Sequence, residues 1–187
     1  VQKLGIPNHI LRGDYDSHLN WRDLPNENWK KLPVFSFVRH PLAWIKSRWS
    51  KAVEDNTIGQ QTFFGIHRRF DELIDPTSFQ KTVEAIIKRE PGILGATYKE
   101  MFAGIGGISR QVQLFKTENL PTVAYTALKR FEGIPDHFEQ LIKEMPKENS
   151  SSTVDKFLEQ LSALPDSLVA EYLESEKEAI QIWNSAE

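Results

Sequence analysis

The chain contains no cysteine. That excludes a disulfide scaffold, a cysteine-ligated zinc or iron–sulfur centre and a cysteine nucleophile. It also fits a reducing compartment, so a cytoplasmic protein is expected. No run of about 18 apolar residues occurs, so no membrane partner is expected. The first residues, Val1-Gln2-Lys3-Leu4, show neither an initiating Met nor the charged and apolar segments of a signal peptide. A surplus of one charge is missing as well: 23 Lys+Arg face 26 Asp+Glu, for a net −3. A protein that coats nucleic acid needs excess cations to neutralise phosphates, so that partner is not expected either. A small phosphate ligand needs only a few local cations and stays open. The five His show no spacing typical of metal ligands, so no metal is expected.

What is present is an ordinary globular composition: 187 residues, 40% hydrophobic and 26% charged. One domain, 1–187, is expected, since no linker or repeat divides it. Val34-Phe35-Ser36-Phe37-Val38 reads as a strand buried on both faces. Pro41 suits the first turn of a following helix. Leu42, Ile45, Trp49 and Val53 space out its packed face. Asn56 to Gly65 reads as a loop. A second helix is predicted from Thr77 or Ser78, with Phe79, Val83, Ile86 and Ile87 on one side and Pro91-Gly92 as its stop. Tyr98 to Phe102 reads as a further helical turn or two, halted by Gly104, Gly106 and Gly107. Val112 to Phe115 is a second buried strand, followed by a helix near 122–131. In the last third, Ser152 and Asp155 resemble a capping box. Pro165 is predicted to open one final helix carrying Leu168, Val169, Tyr172, Leu173, Ala179, Ile180 and Trp183. A strand followed at once by a helix indicates an α/β chain, and the last third reads as helical.

The stretch from Val34 to Trp49 carries the most chemistry. Arg39 stands where a buried strand emerges, and open α/β sheets bind ligands beyond the carboxyl ends of their strands. A guanidinium there can fork onto two phosphate oxygens. Ser47, about two turns into the helix, can donate to a further oxygen. The helix N-terminus adds partial positive charge.

Arg39, Pro41 and Ser47 resemble the 3′-phosphate-binding segment of PAPS-dependent sulfotransferases (PAPS is 3′-phosphoadenosine 5′-phosphosulfate). In that family a strand ends in Arg, a Pro commonly follows within two residues, and a Ser stands eight positions after the Arg. The flanks are similar too. Asp16-Ser17-His18-Leu19, with Leu24-Pro25, resembles a Thr-His-Leu-Pro-like segment, with Ser17 for the Thr and Asn20 for the Pro. Phe115-Lys116-Thr117-Glu118-Asn119-Leu120 resembles a strand ending in Tyr-Glu-Asp/Asn-Leu. The tail from Lys147-Glu148-Asn149-Ser150 through the final helix resembles the close of carbohydrate-type members. The resemblance spans about 15–50 and 110–183.

The resemblance implies an α/β fold with a parallel sheet flanked by helices, like that of P-loop nucleotide kinases, with PAPS as sulfuryl donor and no metal. Arg39 and Ser47 would hold the 3′-phosphate, and His18 would be the general base. The acceptor would be a hydroxyl or amine on a small molecule or glycan. Sulfuryl transfer needs positioning, cationic donors and a base with a pKa near working pH, which suits histidine. The family's Lys-x-Gly-x-Thr-like phosphate loop has no counterpart here. Pro91-Gly92-Ile93-Leu94-Gly95-Ala96-Thr97 lacks the Lys and is read as a helix stop. The chain is therefore expected to begin after the family's first strand and phosphate loop.

Several residues carry two readings. Trp21 and Trp29 either stack on an acceptor ring or pin a loop. His67-Arg68-Arg69 with Lys46, Arg48 and Lys51 either draws an anionic acceptor or forms a solvated charged face. Lys147 and Asn149 either line a nucleotide pocket or belong to a plain loop. His40 is read as part of the turn, and Glu118 as a ligand of backbone amides at the end of its own strand. Three functions remain open: an active sulfotransferase, an inactive sulfotransferase-like binding module, and another P-loop-fold transferase such as a kinase.

Overall fold

The structure, a computed structural model, describes residues 34–54, 66–104, 107–108, 112–120, 122–129 and 162–187, with residues 137, 140 and 144 singly. In chain order, β1 (Val34–Val38) leads into α1 (Pro41–Glu54), α2 (Ile66–Asp71), α3 (Phe79–Arg89) and α4 (Ile93–Phe102). A small antiparallel pair follows, β2 (Ala103–Gly104) with β3 (Gly107–Ile108). Then come β4 (Val112–Lys116), a 3-10 turn (Thr117–Asn119), α5 (Thr122–Lys129), α6 (Asp166–Ser175) and α7 (Lys177–Ser185). The described chain is thus mixed α/β, mostly helical, around a two-stranded parallel sheet of β1 and β4. Among the described residues no helix is long and apolar enough to cross a membrane.

Both sheet strands are the apolar runs predicted from the sequence. They pair in register from Val34 opposite Val112 to Val38 opposite Lys116. Side chains alternate across a strand, so the two faces differ. Val38, Val112 and Leu114 pack with Leu94, Tyr98 and Phe102 of α4 and Ala179 and Ile182 of α7. Phe35, Phe37 and Phe115 cluster on the other face, with ring centroids 5.9–6.4 Å apart. The far edge of β4 takes Glu187: its amide donates to the Leu114 carbonyl at 3.0 Å, and the Lys116 amide donates to its carbonyl at 2.8 Å. That pair of bonds fixes the end of α7 beside the sheet.

A second core joins the helices. Ile45, Trp49 and Ala52 of α1 meet Phe70, Leu73, Phe79, Val83, Ile86 and Tyr172. Of the predicted α1 stripe, Ile45 and Trp49 are fully buried, while Leu42 and Val53 pack at the margin. The Trp49 indole also donates to the Asp75 carbonyl at 2.8 Å, which satisfies its polar edge inside the core. The helix expected from Thr77 or Ser78 begins at Phe79, and Ser78 caps it, its Oγ accepting from the Lys81 amide at 3.2 Å.

Three local expectations are corrected. The Pro91–Thr97 stretch is not merely a stop: Gly92 turns the chain at φ +79°, and α4 starts at Ile93. Left-handed backbone suits glycine because it lacks a Cβ, so Pro91-Gly92 ends one helix and allows another to start at once. The glycines after Phe102 do not only halt a helix, since β2 and β3 pair across them. The single final helix is two, broken at Glu176, whose side chain turns inward to cap α4. The Ser152–Asp155 cap and the loop 56–65 lie outside the described residues.

Candidate functional site

The carboxyl ends of β1 and β4 lie together because the strands are parallel and in register. Arg39 and His40 follow β1; Thr117 and Glu118 follow β4. The turn from Val38 to Pro41 is held almost entirely by side chains from elsewhere in the chain. Thr117 Oγ1 donates to the Val38 carbonyl at 3.1 Å. The Arg39 amide donates to the Tyr98 hydroxyl at 3.0 Å, and that hydroxyl donates to the Arg39 carbonyl at 2.9 Å. The His40 amide donates to Glu118 Oε1 at 2.7 Å. The Tyr172 hydroxyl reaches the Pro41 carbonyl at 3.4 Å. The His40 carbonyl takes the Trp44 amide at 2.9 Å, which starts α1. Backbone groups at a strand end must find partners. Here they find them on α4, α6 and the turn after β4.

The Arg39 side chain is treated differently from its backbone. It is half-buried, and among the described residues its guanidinium makes no hydrogen bond or ion pair. Glu118 acts on it only through space. Both oxygens of that carboxylate are engaged, Oε1 by the His40 amide and Oε2 by the Trp183 indole at 3.2 Å. Partial burial pushes the Glu118 carboxyl up, but the His40 amide, its own amide, Trp183 and Arg39 outweigh it and hold it below the usual range. Glu118 thus binds backbone amides, as expected, although the amide that ties it to β1 belongs to the neighbouring strand's end.

Tyr98 and Tyr172 remain neutral donors. Burial pushes the Tyr98 hydroxyl up to about 12, the Arg39 backbone bond opposing it. Burial drives Tyr172 well above its ordinary value, with Glu176 and Tyr98 adding to it. His40 belongs to the turn. Its Nδ1 accepts from the Leu42 amide at 3.3 Å, satisfying one of the unpaired amides at the start of α1. Its ring packs edge-to-face with Trp183, centroids 4.9 Å apart, and Lys116 Nζ lies 4.9 Å from the centroid of the same indole.

Ser47 lies on the exposed face of α1. That stripe runs back through Ala43 toward the first turn, and Ser47 stands about 9 Å along the helix axis from Pro41 at ~1.5 Å per residue. The structure therefore sets Arg39 and Ser47 on one strand–turn–helix unit without bringing them into contact. His18, Trp21, Trp29, Lys147 and Asn149 lie outside the described residues. The basic cluster is partly spent internally: Arg48 pairs with Asp71, and Arg69 pairs with Glu90. Among the described residues no cluster of His, Cys, Asp and Glu could hold a metal ion.

Tyr98, Thr117, Trp183 and Tyr172 were not singled out as site residues by sequence. Each reaches the turn from 59 to 143 positions away, a distance no local periodicity reports. Compared with family models, with curated proteins and with solved structures, the chain finds no match in any of the three.

Proposed function

We propose that this chain carries the 3′-phosphate site of a PAPS-dependent sulfotransferase, with Arg39 and Ser47 as ligands of the 3′-phosphate. On this reading β1 and β4 belong to a wider parallel sheet of the P-loop nucleotide-kinase kind. PAPS is the sulfuryl donor, and the acceptor is a hydroxyl or amine of a small molecule or glycan. His18 takes the acceptor's proton. The protein works in the cytoplasm, in keeping with a chain that has no cysteine.

One observation carries the reading: a half-buried arginine at the carboxyl end of a parallel strand has its backbone locked and its guanidinium without a bonded partner among the described residues. A fixed backbone limits the conformational freedom lost when a phosphate binds, and a fork of donors suits its oxygens.

Calorimetric titration with adenosine 3′,5′-bisphosphate tests it. The chain is expected to bind the bisphosphate. Binding is expected to fall roughly 10-fold or more in Arg39→Ala, since a charge-assisted bond is worth ~1.5–3 kcal/mol, and by less in Ser47→Ala. Circular dichroism of Arg39→Ala should match the parent, because the guanidinium makes no hydrogen bond within the described fold. Equal affinity for 5′-AMP and the bisphosphate would refute the assignment of the 3′-phosphate.

A further inference from the structure

We infer that Tyr98 is a positioning residue for Arg39: its hydroxyl clamps both backbone hydrogen-bonding groups of the arginine and so sets the direction in which the guanidinium leaves the strand. This rests on the reading of Arg39 as the phosphate ligand. The clamp itself stands on geometry alone. A single hydroxyl accepts from the Arg39 amide at 3.0 Å and donates to the Arg39 carbonyl at 2.9 Å. Both torsions of that residue are thereby restrained from one point. Without the hydroxyl, the two groups would have to find water at a part-buried strand end, or shift.

The hydroxyl is itself well anchored. Tyr98 is 4% exposed, stacks on Phe102 at 5.9 Å between ring centroids, and packs with Val38, Leu94 and Ala179. One turn before it, the amides of Leu94 and Gly95 donate to the buried Glu176 carboxylate at 3.1 and 3.2 Å. That carboxylate sits at the break between α6 and α7, so α4 is tied at its start to both helices. The clamp therefore rests on an immobilised helix. Glu118 holds the next amide, that of His40, from the opposite strand's end at 2.7 Å. Neither side chain is placed to donate to the phosphate: the Tyr98 hydroxyl proton is spent on the Arg39 carbonyl, and the ionised Glu118 carboxylate has none to give.

The test is Tyr98→Phe in the full chain, which keeps the ring and its packing and removes only the hydroxyl. Amide hydrogen exchange followed by NMR reads the clamp without any ligand. In the parent protein the Arg39 amide is expected to be protected. In Tyr98→Phe it should exchange at least about tenfold faster, relative to the buried α3 amides of Val83 and Ile86 as internal reference. Titration with adenosine 3′,5′-bisphosphate reads the consequence. The variant should bind several-fold more weakly, and the same substitution made on Arg39→Ala should add little, because there is no guanidinium left to aim. An Arg39 amide whose exchange is unchanged by Tyr98→Phe overturns the proposal. So does an equal loss of affinity with and without Arg39, which marks a general structural effect. If the parent protein binds no bisphosphate, the reading of the phosphate site falls, and the Arg39 amide still decides the clamp.

Discussion

Glu176 offers the sharpest check on the packing that supports the site. It is fully buried, at 0% exposure, and both Leu94 and Gly95 donate backbone amides to its carboxylate. Burial penalises the charged form, and the amides only partly compensate, so the carboxyl is pushed from its ordinary 4.5 up to about 7. Glu178 raises it further, while the amides of Leu94, Gly95 and Ile93 lower it. The sign follows from proton counting. Between 4.5 and about 7 the folded chain holds more proton at this site than the unfolded chain. The contribution to stability is therefore full below 4.5, declines as pH rises through about 7, and levels off above it. At about 1.4 kcal/mol per pH unit, the whole change is about 3 kcal/mol.

Glu176→Gln removes this titration and keeps the shape and an acceptor oxygen for the amides. Other groups titrate alike in both proteins and cancel in the difference. Urea unfolding at intervals between pH 5 and pH 8 should show the variant gaining on the parent by about 2–3 kcal/mol across that range. At pH 5 the parent should be the more stable, because its protonated carboxyl buries one O–H donor where the glutamine amide would bury an NH2 group with two. Stability curves that run parallel over the whole range would refute the reasoning: the carboxylate would then be as comfortable in the folded chain as in water.

Two further substitutions test individual contacts. In Gly95→Ala the new Cβ would lie 2.9 Å from Glu178 Cβ and 3.2 Å from the Ala179 amide nitrogen. Overpacking of this kind costs ~1–3 kcal/mol, offset by up to ~1 kcal/mol of helix propensity. Urea unfolding should show a net loss of about 1–2 kcal/mol, and a gain would mean that α4 and α7 are not in close contact there. Ser78→Ala removes the Oγ that accepts the Lys81 amide at 3.2 Å, for a loss of ~1 kcal/mol. Ser78→Asp should restore it, and failure of that rescue would show that the cap is not what stabilises α3.

The elements that local pattern could announce are those that depend on local chemistry. β1 and β4 are short, largely apolar segments, long enough to bury and too short for a helix. Pro41 at the start of α1 and Ser78 before α3 use features confined to the first turn of a helix. What pattern could not announce depended on contacts. Gly92 reads as the end of a helix in any sequence. That α4 starts immediately afterwards requires a partner for its first amides, and that partner is Glu176, 82 positions from Leu94. By sequence Glu176 is one more charge on a helix face. In the fold it is the break between two helices and the cap of a third.

The same division holds for the site. From the sequence alone came Arg39 at a strand end, a helix opening at Pro41, Ser47 two turns along it, and Glu118 after a second strand, because each follows from strand or helix boundaries a few residues long. Only tertiary structure decided that the two strands lie in parallel register, so that Glu118 meets the His40 amide rather than remaining at its own end. Only tertiary structure brought Tyr98 and Tyr172 onto the Arg39–Pro41 backbone, and matched Arg48 and Arg69 with Asp71 and Glu90 while leaving the Arg39 guanidinium without a bonded partner among the described residues. The physical reason is range. Propensity and periodicity act over a turn or two of chain, whereas a backbone group at a strand end is satisfied by whichever side chain the packing delivers to it.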